Sequence, residues 1–143
     1  MTAEEMWLAS GLAGEYEAWA FGVDADELAR LVRTGVKTAT ASAHPLYEVD
    51  GEELPRAGEY SVILNARGEA VCIICTEKVF VMPYRAVTAE QAWKEGEGDR
   101  SLAYWRQVHE AFFRKEMEAA GLTFTEDMGV VCEEFRVVYP KED

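Results

Sequence analysis

The sequence predicts an α+β domain, built as a small mixed β-barrel with flanking helices. Segments with helical spacing of apolar residues stand before, between and beside four or five segments that favour strands. The apolar segment 70–82 is too long for a flat strand, and strands of this length curl as they do in barrels. The 143 residues, 49% of them hydrophobic and 11% aromatic, suffice for one core and exclude a disordered chain.

Residues 1–23 are predicted to be a helical extension that packs on the rest of one domain, 1–143. Apolar residues recur at helical spacing over 3–21. Thr2 and Glu5 match the capping box that often starts a helix, because each side chain can bond the backbone of the other.

The next part of the chain is predicted to form a short helix and then a strand. Asp24 opens the helix, since acidic side chains favour the positive end of the helix dipole, and Gly35 suits its end. Small and β-branched residues over 36–42 indicate a strand. The segment 43–58 contains two prolines and is predicted to be a long connection.

The second half of the chain is predicted to begin with two strands, 60–66 and 70–82. A hairpin turn joins them, with Gly68 supplying a positive φ, and Pro83 ends the second strand. The remaining elements are a short helix opened by Thr88 and Gln91, an amphipathic helix over about 100–120 ended by Gly121, and a terminal strand over 130–139.

The net charge restricts the partners of this protein. Fourteen Lys and Arg residues against 27 Asp and Glu give −13. Such a surface repels extended nucleic-acid duplexes and anionic membranes, so any nucleic-acid contact is confined to a local pocket or a small ligand. The acidic N-terminus and the lack of an 18-residue apolar run predict a cytoplasmic protein without a membrane segment.

The three cysteines are predicted to be core residues. Cys72 and Cys75 match C-x-x-C, but they lie in an apolar strand, where residues three apart point to opposite faces. Cys132 leaves an odd count, which argues against a disulfide framework. No metal or other cofactor is predicted.

The segment from Gly35 to Ser42 places Lys37 beside several hydroxyl groups. A partly buried lysine can act as a base toward a hydroxyl, whereas a lysine after a helix can also simply complement the helix dipole. On a regular strand Thr38, Thr40 and Ser42 share one face. Lys37 therefore meets Thr40 only if the chain turns near Lys37.

A second segment alternates acidic residues with glycines and ends in Arg100. If it is extended, Glu95, Glu97 and Asp99 share a face that could hold Mg²⁺ or Ca²⁺. The alternative is a solvated loop in which Asp99 or Ser101 caps the following helix.

The long helix interleaves aromatic residues with Arg, as base-stacking surfaces do, but Trp105, His109 and Phe112 also have the spacing of core positions. His109 is predicted to pack in the core, and the role of His44 stays open. Neither histidine has a recognisable Ser or Cys partner, so a catalytic triad is not indicated.

Several motifs together resemble the ASCH domain family, whose fold is a PUA-like β-barrel. The resemblance runs from about residue 24 to the end. Its motifs are Gly35-x-Lys37-Thr38-x-Thr40, Gly58-x-Tyr60-Ser61, Val87-Thr88-x-Glu90-x-Ala92, Glu95-Gly-Glu-Gly-Asp-Arg-Ser-Leu102-x-Tyr-Trp105, His109-x-x-Phe112-Phe113 and Val131-Cys132-Glu133-x-Phe135.

This resemblance implies a barrel cleft linked to RNA or modified nucleosides. Some members look like ribonucleases, and one class of small members resembles an amidohydrolase acting on N4-acetylcytidine. In that class a lysine is the base, a threonine three residues later is the nucleophile, and a glutamate follows the short helix; the matching positions are Lys37, Thr40 and Glu95. Ser42 stands where the family often has a basic residue, and the helix over 100–120 is longer than in the small amidohydrolases.

The leading hypothesis is therefore a cleft for a nucleoside-like ligand or short single-stranded RNA, with amide hydrolysis by Lys37, Thr40 and Glu95. Alternatives are a non-catalytic nucleotide-binding or RNA-binding module, and metal-assisted ribonuclease chemistry on the acidic segment. The predicted ligand-binding residues are Thr38, Ser42, Glu97, Asp99, Arg100 and Trp105.

Overall fold

The computed structural model describes residues 1–141, so the last two residues of the predicted domain lie outside this description. Within it the helices are α1 (Ala3–Ser10), α2 (Ala25–Arg33), α3 (His44–Asp50), α4 (Ala89–Glu95) and α5 (Leu102–Ala119). The strands are β1 (Tyr16–Trp19), β2 (Ala39–Ala43), β3 (Tyr60–Leu64), β4 (Ala70–Pro83) and β5 (Gly129–Tyr139), and a short 3-10 helix covers Tyr84–Ala86.

The five strands form one mixed sheet in the order β1-β3-β4-β5-β2, which confirms the predicted α+β class. β1 runs parallel to β3, and the other neighbouring pairs are antiparallel. The predicted hairpin joins β3 to β4, where Gly68 has φ 79° and its N–H donates to the Asn65 carbonyl at 3.0 Å.

The sheet is open, so the predicted barrel is not confirmed. The pairing of β4 with β5 shifts register near Ile73 and again between Thr76 and Lys78, and such irregularities bend and twist a sheet. β1 and β2 nevertheless remain its two edges, and no strand pairing joins them within residues 1–141. Residues of both edge strands line the same cleft.

The predicted helix over 3–21 is correct only for its first part. The capping box is present, with Thr2 N–H donating to Glu5 Oε1 at 2.8 Å and Glu5 N–H to Thr2 Oγ1 at 3.1 Å. Gly11 adopts φ 74° and ends the helix. The chain then forms β1 because it pairs with β3, a long-range contact that local spacing does not reveal.

The predicted connection over 43–58 contains the helix α3, which the prolines concealed. Pro45 lies in its first turn, where a missing N–H costs no helical hydrogen bond. Gly51 has φ 67° and ends the helix.

The other predicted elements are confirmed with small changes at their ends. Thr88 caps α4 by accepting the Gln91 N–H at 3.1 Å, and Ser101 caps α5 by accepting the Tyr104 N–H at 3.0 Å. Trp105 and Phe113 of α5 pack with the 3-10 helix residue Tyr84 and with β5 in the largest core cluster.

The cysteines are buried and free, as predicted. Burial raises the pKa of the Cys72 and Cys132 thiols to about 12, which suits inert core positions. Within the described residues, no helix has the length and apolar character needed to cross a membrane.

Candidate functional site

A cleft of about 1340 Å³ lies between the two edges of the sheet. Its walls come from β1 and the loops around it, from β2, from the chain before β3, and from one side of α5. Ligand sites in proteins usually measure roughly 300–1,000 Å³, so the cleft can hold a nucleoside with room to spare.

Lys37 reaches this cleft because it lies outside the regular alternation of β2. Its backbone N–H donates to the Leu31 carbonyl at 3.0 Å, and the strand begins only at Ala39. Its neighbour Thr38 is attached to the end of α4, with the Thr38 N–H donating to the Lys94 carbonyl at 2.7 Å. The turn near Lys37 that the sequence required is therefore present, and Lys37 and Thr40 line the same cleft.

Two glycines place the acidic residues opposite Lys37. Gly96 has φ 71°, and a Cβ added there would lie 2.6 Å from the Val36 carbonyl oxygen. Gly98 has φ 57°, and a Cβ there would lie 2.4 Å from the Tyr104 ring. Only glycine permits this close approach, which brings the end of α4 against the chain that carries Lys37.

Lys37 and two glutamates form a buried ion-pair cluster. Lys37 Nζ lies 2.8 Å from Glu97 Oε2 and 3.6 Å from Glu95 Oε1. The side chains of Lys37 and Glu95 are each 1% exposed, and that of Glu97 is 17% exposed. Lys37 Nζ also lies 5.3 Å from the centre of the Phe21 ring. The predicted alternative of a solvated acidic loop therefore does not describe Glu95 and Glu97.

Glu95 is held by hydrogen bonds on one oxygen. Its Oε2 accepts from Trp105 Nε1 at 2.6 Å and from Gln91 Nε2 at 3.0 Å. Burial alone would raise the pKa of Glu95, but the interaction with His109 and the charge of Lys37 outweigh burial and lower it. Glu95 is therefore an anion in this site.

His109 joins the same cluster, which the sequence did not predict. The ring lines the cleft, and Nε2 lies 3.4 Å from Glu95 Oε1. On one face the ring stacks on Trp105 at 4.1 Å between centroids and 13° between planes. Helical spacing correctly predicted that His109 is buried, but spacing alone could not show that a carboxylate faces it.

Thr40 and Ser42 of β2 line the cleft. The Thr40 hydroxyl makes no hydrogen bond with Lys37 Nζ; the link to the cluster is Gln91, whose Nε2 lies 3.4 Å from the Thr40 carbonyl oxygen. Ser42 Oγ lies 2.8 Å from the Tyr47 hydroxyl. The sequence predicts only a capping role for Gln91, whereas its side chain is shared between β2 and Glu95.

Four predicted ligand-binding residues do not line the cleft. The Thr38 hydroxyl donates to the Lys94 carbonyl and faces a separate cavity. Asp99 is exposed and accepts the Ser101 N–H, so it is a turn residue, in line with the predicted alternative. The Arg100 guanidinium stacks 3.7 Å over Trp93 and donates to the Trp93 carbonyl, so it is not available for a phosphate. Trp105 is buried and donates a hydrogen bond from Nε1 to Glu95 Oε2 without lining the cleft itself.

Glu133 is a further cleft residue to which the sequence assigned no role. It pairs with Thr40 across β5 and β2 and accepts a hydrogen bond from Thr76 Oγ1 at 3.4 Å. Burial raises its pKa to about 7, although the Thr76 hydrogen bond acts in the opposite direction; the charges of Glu59 and Glu17 add to the increase.

The lining of the cleft is acidic and aromatic. Lys37 is the single lysine or arginine along it among residues 1–141. Nine glutamates line it: Glu15, Glu17, Glu52, Glu53, Glu59, Glu95, Glu97, Glu116 and Glu133. The aromatic residues are Tyr16, Trp19, Phe21, Tyr47, Tyr60 and Phe112. Flat rings suit a planar ligand, and the carboxylates disfavour a phosphorylated one.

A metal ion would have to compete with Lys37 for this cluster. Ligand atoms of Glu95, Glu97 and His109 lie within 4.8 Å of one another, which is a spacing that a cation could use. The Lys37 ammonium already lies 2.8 Å from Glu97 and supplies positive charge there. The sequence predicted a cation site formed by Glu95, Glu97 and Asp99. In the structure His109 takes the place of Asp99, which is exposed and bonds the Ser101 N–H.

Comparison with known proteins gives consistent matches. The profile of the ASCH domain matches residues 17–139. The crystal structure of an ASCH domain from Lactobacillus crispatus JV V101 has a TM-score of 0.90 and 33% identity, covering 95% of this chain and 93% of that one. Protein EF3133 from Enterococcus faecalis V583 has a TM-score of 0.83 and 33% identity, covering 94% and 86%. The hypothetical protein PH0355, at 15% identity and TM-score 0.57, is similar in fold alone. No curated protein matches the sequence.

Proposed function

The chain belongs to the ASCH domain family, and from this membership we propose that its cleft binds an unphosphorylated, nucleoside-like ligand and hydrolyses an amide bond of that ligand. The observation that carries the proposal is that Lys37, Thr40 and Glu95 line one cleft, although Lys37 and Glu95 are 58 positions apart in the sequence. These are the positions that the resemblance assigns to base, nucleophile and assisting carboxylate.

The composition of the cleft supports this class of ligand. Six aromatic side chains can stack against a nucleobase, and base–aromatic stacking contributes about 1–3 kcal/mol per base. Two like charges 4 Å apart repel by about 4 kcal/mol at an effective dielectric constant of 20. Nine glutamates therefore favour an uncharged nucleoside over RNA, whose phosphates need basic partners. RNA binding and ribonuclease activity are the weaker proposals for this reason.

The reaction begins with two proton transfers. The Lys37 ammonium gives a proton to Glu97 Oε2, 2.8 Å away, and the resulting amine takes the proton of the Thr40 hydroxyl. The Thr40 oxygen then attacks the amide carbonyl carbon. As the C–N bond breaks, the leaving nitrogen accepts a proton from an acid beside Glu95, and this acid regains a proton in the second half of the reaction. This leaves an acyl ester on Thr40.

Water completes the cycle. It attacks the ester carbon and gives one proton to the group that protonated the leaving nitrogen, the ester C–O bond breaks, and Lys37 returns a proton to the Thr40 oxygen. Glu97 then reprotonates Lys37. Catalytic hydrogen bonds are often long before ligand binds, so the Thr40 hydroxyl and Lys37 Nζ are expected to meet in the complex.

A matched pair of threonine variants tests the nucleophile. Wild type, Thr40→Ala and Thr38→Ala are incubated with N4-acetylcytidine, and release of cytidine is followed by chromatography. Removal of a catalytic group typically costs about 10²–10⁴-fold in rate, which is the loss expected for Thr40→Ala. Thr38→Ala should keep wild-type activity, because the Thr38 hydroxyl bonds the Lys94 carbonyl away from the cleft.

Two results would contradict the proposal. One is no turnover of N4-acetylcytidine and related acylated nucleosides by the wild-type protein. The other is full activity in Lys37→Met, a variant that keeps the aliphatic chain but cannot take a proton. Saturable calorimetric binding without turnover would instead indicate the non-catalytic alternative, in which the same cleft only holds its ligand.

A further inference from the structure

The contacts of His109 determine which ring nitrogen carries hydrogen. His109 Nδ1 lies 2.9 Å from the backbone carbonyl oxygen of Trp105. A carbonyl oxygen can only accept a hydrogen bond, so Nδ1 must be the N–H donor of this pair. In a neutral imidazole the second nitrogen, Nε2, would then carry a lone pair and no hydrogen.

That second nitrogen faces an oxygen that also needs a proton donor. His109 Nε2 lies 3.4 Å from Glu95 Oε1. Oε1 is buried and has no hydrogen bond of good geometry, whereas Oε2 of the same carboxylate accepts two. If His109 were neutral, its Nε2 lone pair would face Oε1, which is buried, and the Lys37 ammonium at 3.6 Å from Oε1 is beyond hydrogen-bond distance. Buried polar atoms without a hydrogen-bond partner destabilise a fold. A proton on Nε2 would let His109 donate a hydrogen bond to Oε1 and would satisfy both atoms.

The charges around His109 also favour its protonated form. Glu95 at the end of α4 and Glu97 in the next turn lie near His109, and Lys37 before β2 contacts both of these carboxylates. Cys132 on β5 is near Glu95 and stays a neutral thiol, because burial raises its pKa to about 12. Two carboxylates against one ammonium leave a net negative charge in a buried cluster. A protonated His109 balances it.

We infer that His109 is a buried imidazolium that donates from Nε2 to Glu95 and supplies the proton to the leaving nitrogen of the ligand. The second half of this statement rests on the proposed function. Glu95 is then the anion that orients and stabilises the donor. The arrangement depends on α5, because this helix carries both His109 and the Trp105 carbonyl that fixes the His109 ring.

The proton balance of the reaction is complete with this donor. His109 gives its Nε2 proton to the nitrogen as the C–N bond breaks and becomes a neutral imidazole. The same ring nitrogen then takes one proton from the water that attacks the Thr40 ester. His109 returns to its starting state, and no other reactant is needed.

The protein contains two histidines, so its imidazole nitrogens can be observed directly. Wild-type protein labelled with ¹⁵N-histidine is recorded by long-range ¹H–¹⁵N NMR at pH 7.5. We expect both nitrogens of His109 to have the shift of protonated ring nitrogens. In Glu95→Gln the Nε2 signal should move to the unprotonated position, and Glu90→Gln, an exposed change on the same helix, should leave it unchanged. An unprotonated Nε2 in the wild type would overturn the inference.

A kinetic experiment tests the second half separately. His109→Gln should lower kcat on N4-acetylcytidine by about 10²–10⁴-fold with little change in KM. His44→Gln is the matched control, because that ring packs against Gly129 and not against the cleft. Full kcat in His109→Gln would reject its role as proton donor even if the NMR result holds. Failure of wild-type turnover would reject the proposed function and leave the NMR test of the imidazolium unaffected.

Discussion

The substitution Glu133→Gln is expected to stabilise the protein at high pH. Burial raises the pKa of Glu133 from 4.5 to about 7, and Glu59 and Glu17 add to this effect, against the Thr76 hydrogen bond. Between these two values the unfolded chain releases the proton while the folded chain keeps it. The stability contributed by the protonated carboxyl is therefore fully present below pH 4.5 and is lost as the pH rises through 7.

The size of the effect follows from the same two values. Each pKa unit corresponds to 1.36 kcal/mol, and the shift from 4.5 to about 7 gives an upper limit of about 3 kcal/mol above pH 8. Part of this loss of stability has already occurred at pH 5, because the unfolded chain begins to release the proton near pH 4.5. Glutamine cannot ionise, so Glu133→Gln should gain about 2 kcal/mol over wild type between pH 5 and pH 8.

Urea unfolding followed by tryptophan fluorescence measures this difference in both proteins at pH 5 and pH 8. The control is Glu134→Gln on the adjacent position, because Glu134 forms an ion pair with Lys94 at 3.2 Å and should gain no stability at pH 8. An equal difference between wild type and Glu133→Gln at the two pH values would refute the reasoning.

Two further predictions concern the ion-pair cluster. Gly96→Ala should destabilise the protein by about 2 kcal/mol or more in urea unfolding, because φ 71° and a Cβ 2.6 Å from the Val36 carbonyl oxygen are both unfavourable; wild-type stability would mean that the tight turn is not needed. Excess EDTA should leave hydrolysis of N4-acetylcytidine unchanged, because the Lys37 ammonium supplies the cation beside Glu97; loss of activity restored by Mg²⁺ would show that a metal ion does this instead.

Local patterns in the sequence are sufficient for most of the fold. Patterns among neighbouring residues predict several elements correctly. The apolar run predicts the long strand β4, a turn residue predicts the hairpin at Gly68, and helical spacing predicts α5. The resemblance to the ASCH family, drawn from motifs, is confirmed by the match over 17–139. Where pairing between distant segments decides, local patterns are insufficient: helical spacing extends over Tyr16–Trp19, yet this segment is a strand because β3 lies beside it.

For the candidate site too, the sequence indicates some features and the tertiary structure decides others. The residue types of Lys37, Glu95 and Glu97 by themselves indicate polar chemistry, since an amine and carboxylates near glycines are uncommon in a core. Their shared burial, and the positions of His109 and Glu133 beside them, depend on the tertiary structure. Spacing along a helix or strand says which face a side chain occupies, but it does not say which distant group faces it.

Composition and motifs therefore determined the class of fold, the family and the acidic character of this protein. The folded chain alone decided that the sheet stays open, that a cleft lies between its edges, and that Arg100 and Asp99 point away from it. The physical reason is the separation in sequence of the interacting residues. Backbone preferences act between neighbouring residues, whereas ion pairs and ring stacking in this site join residues that only folding brings together.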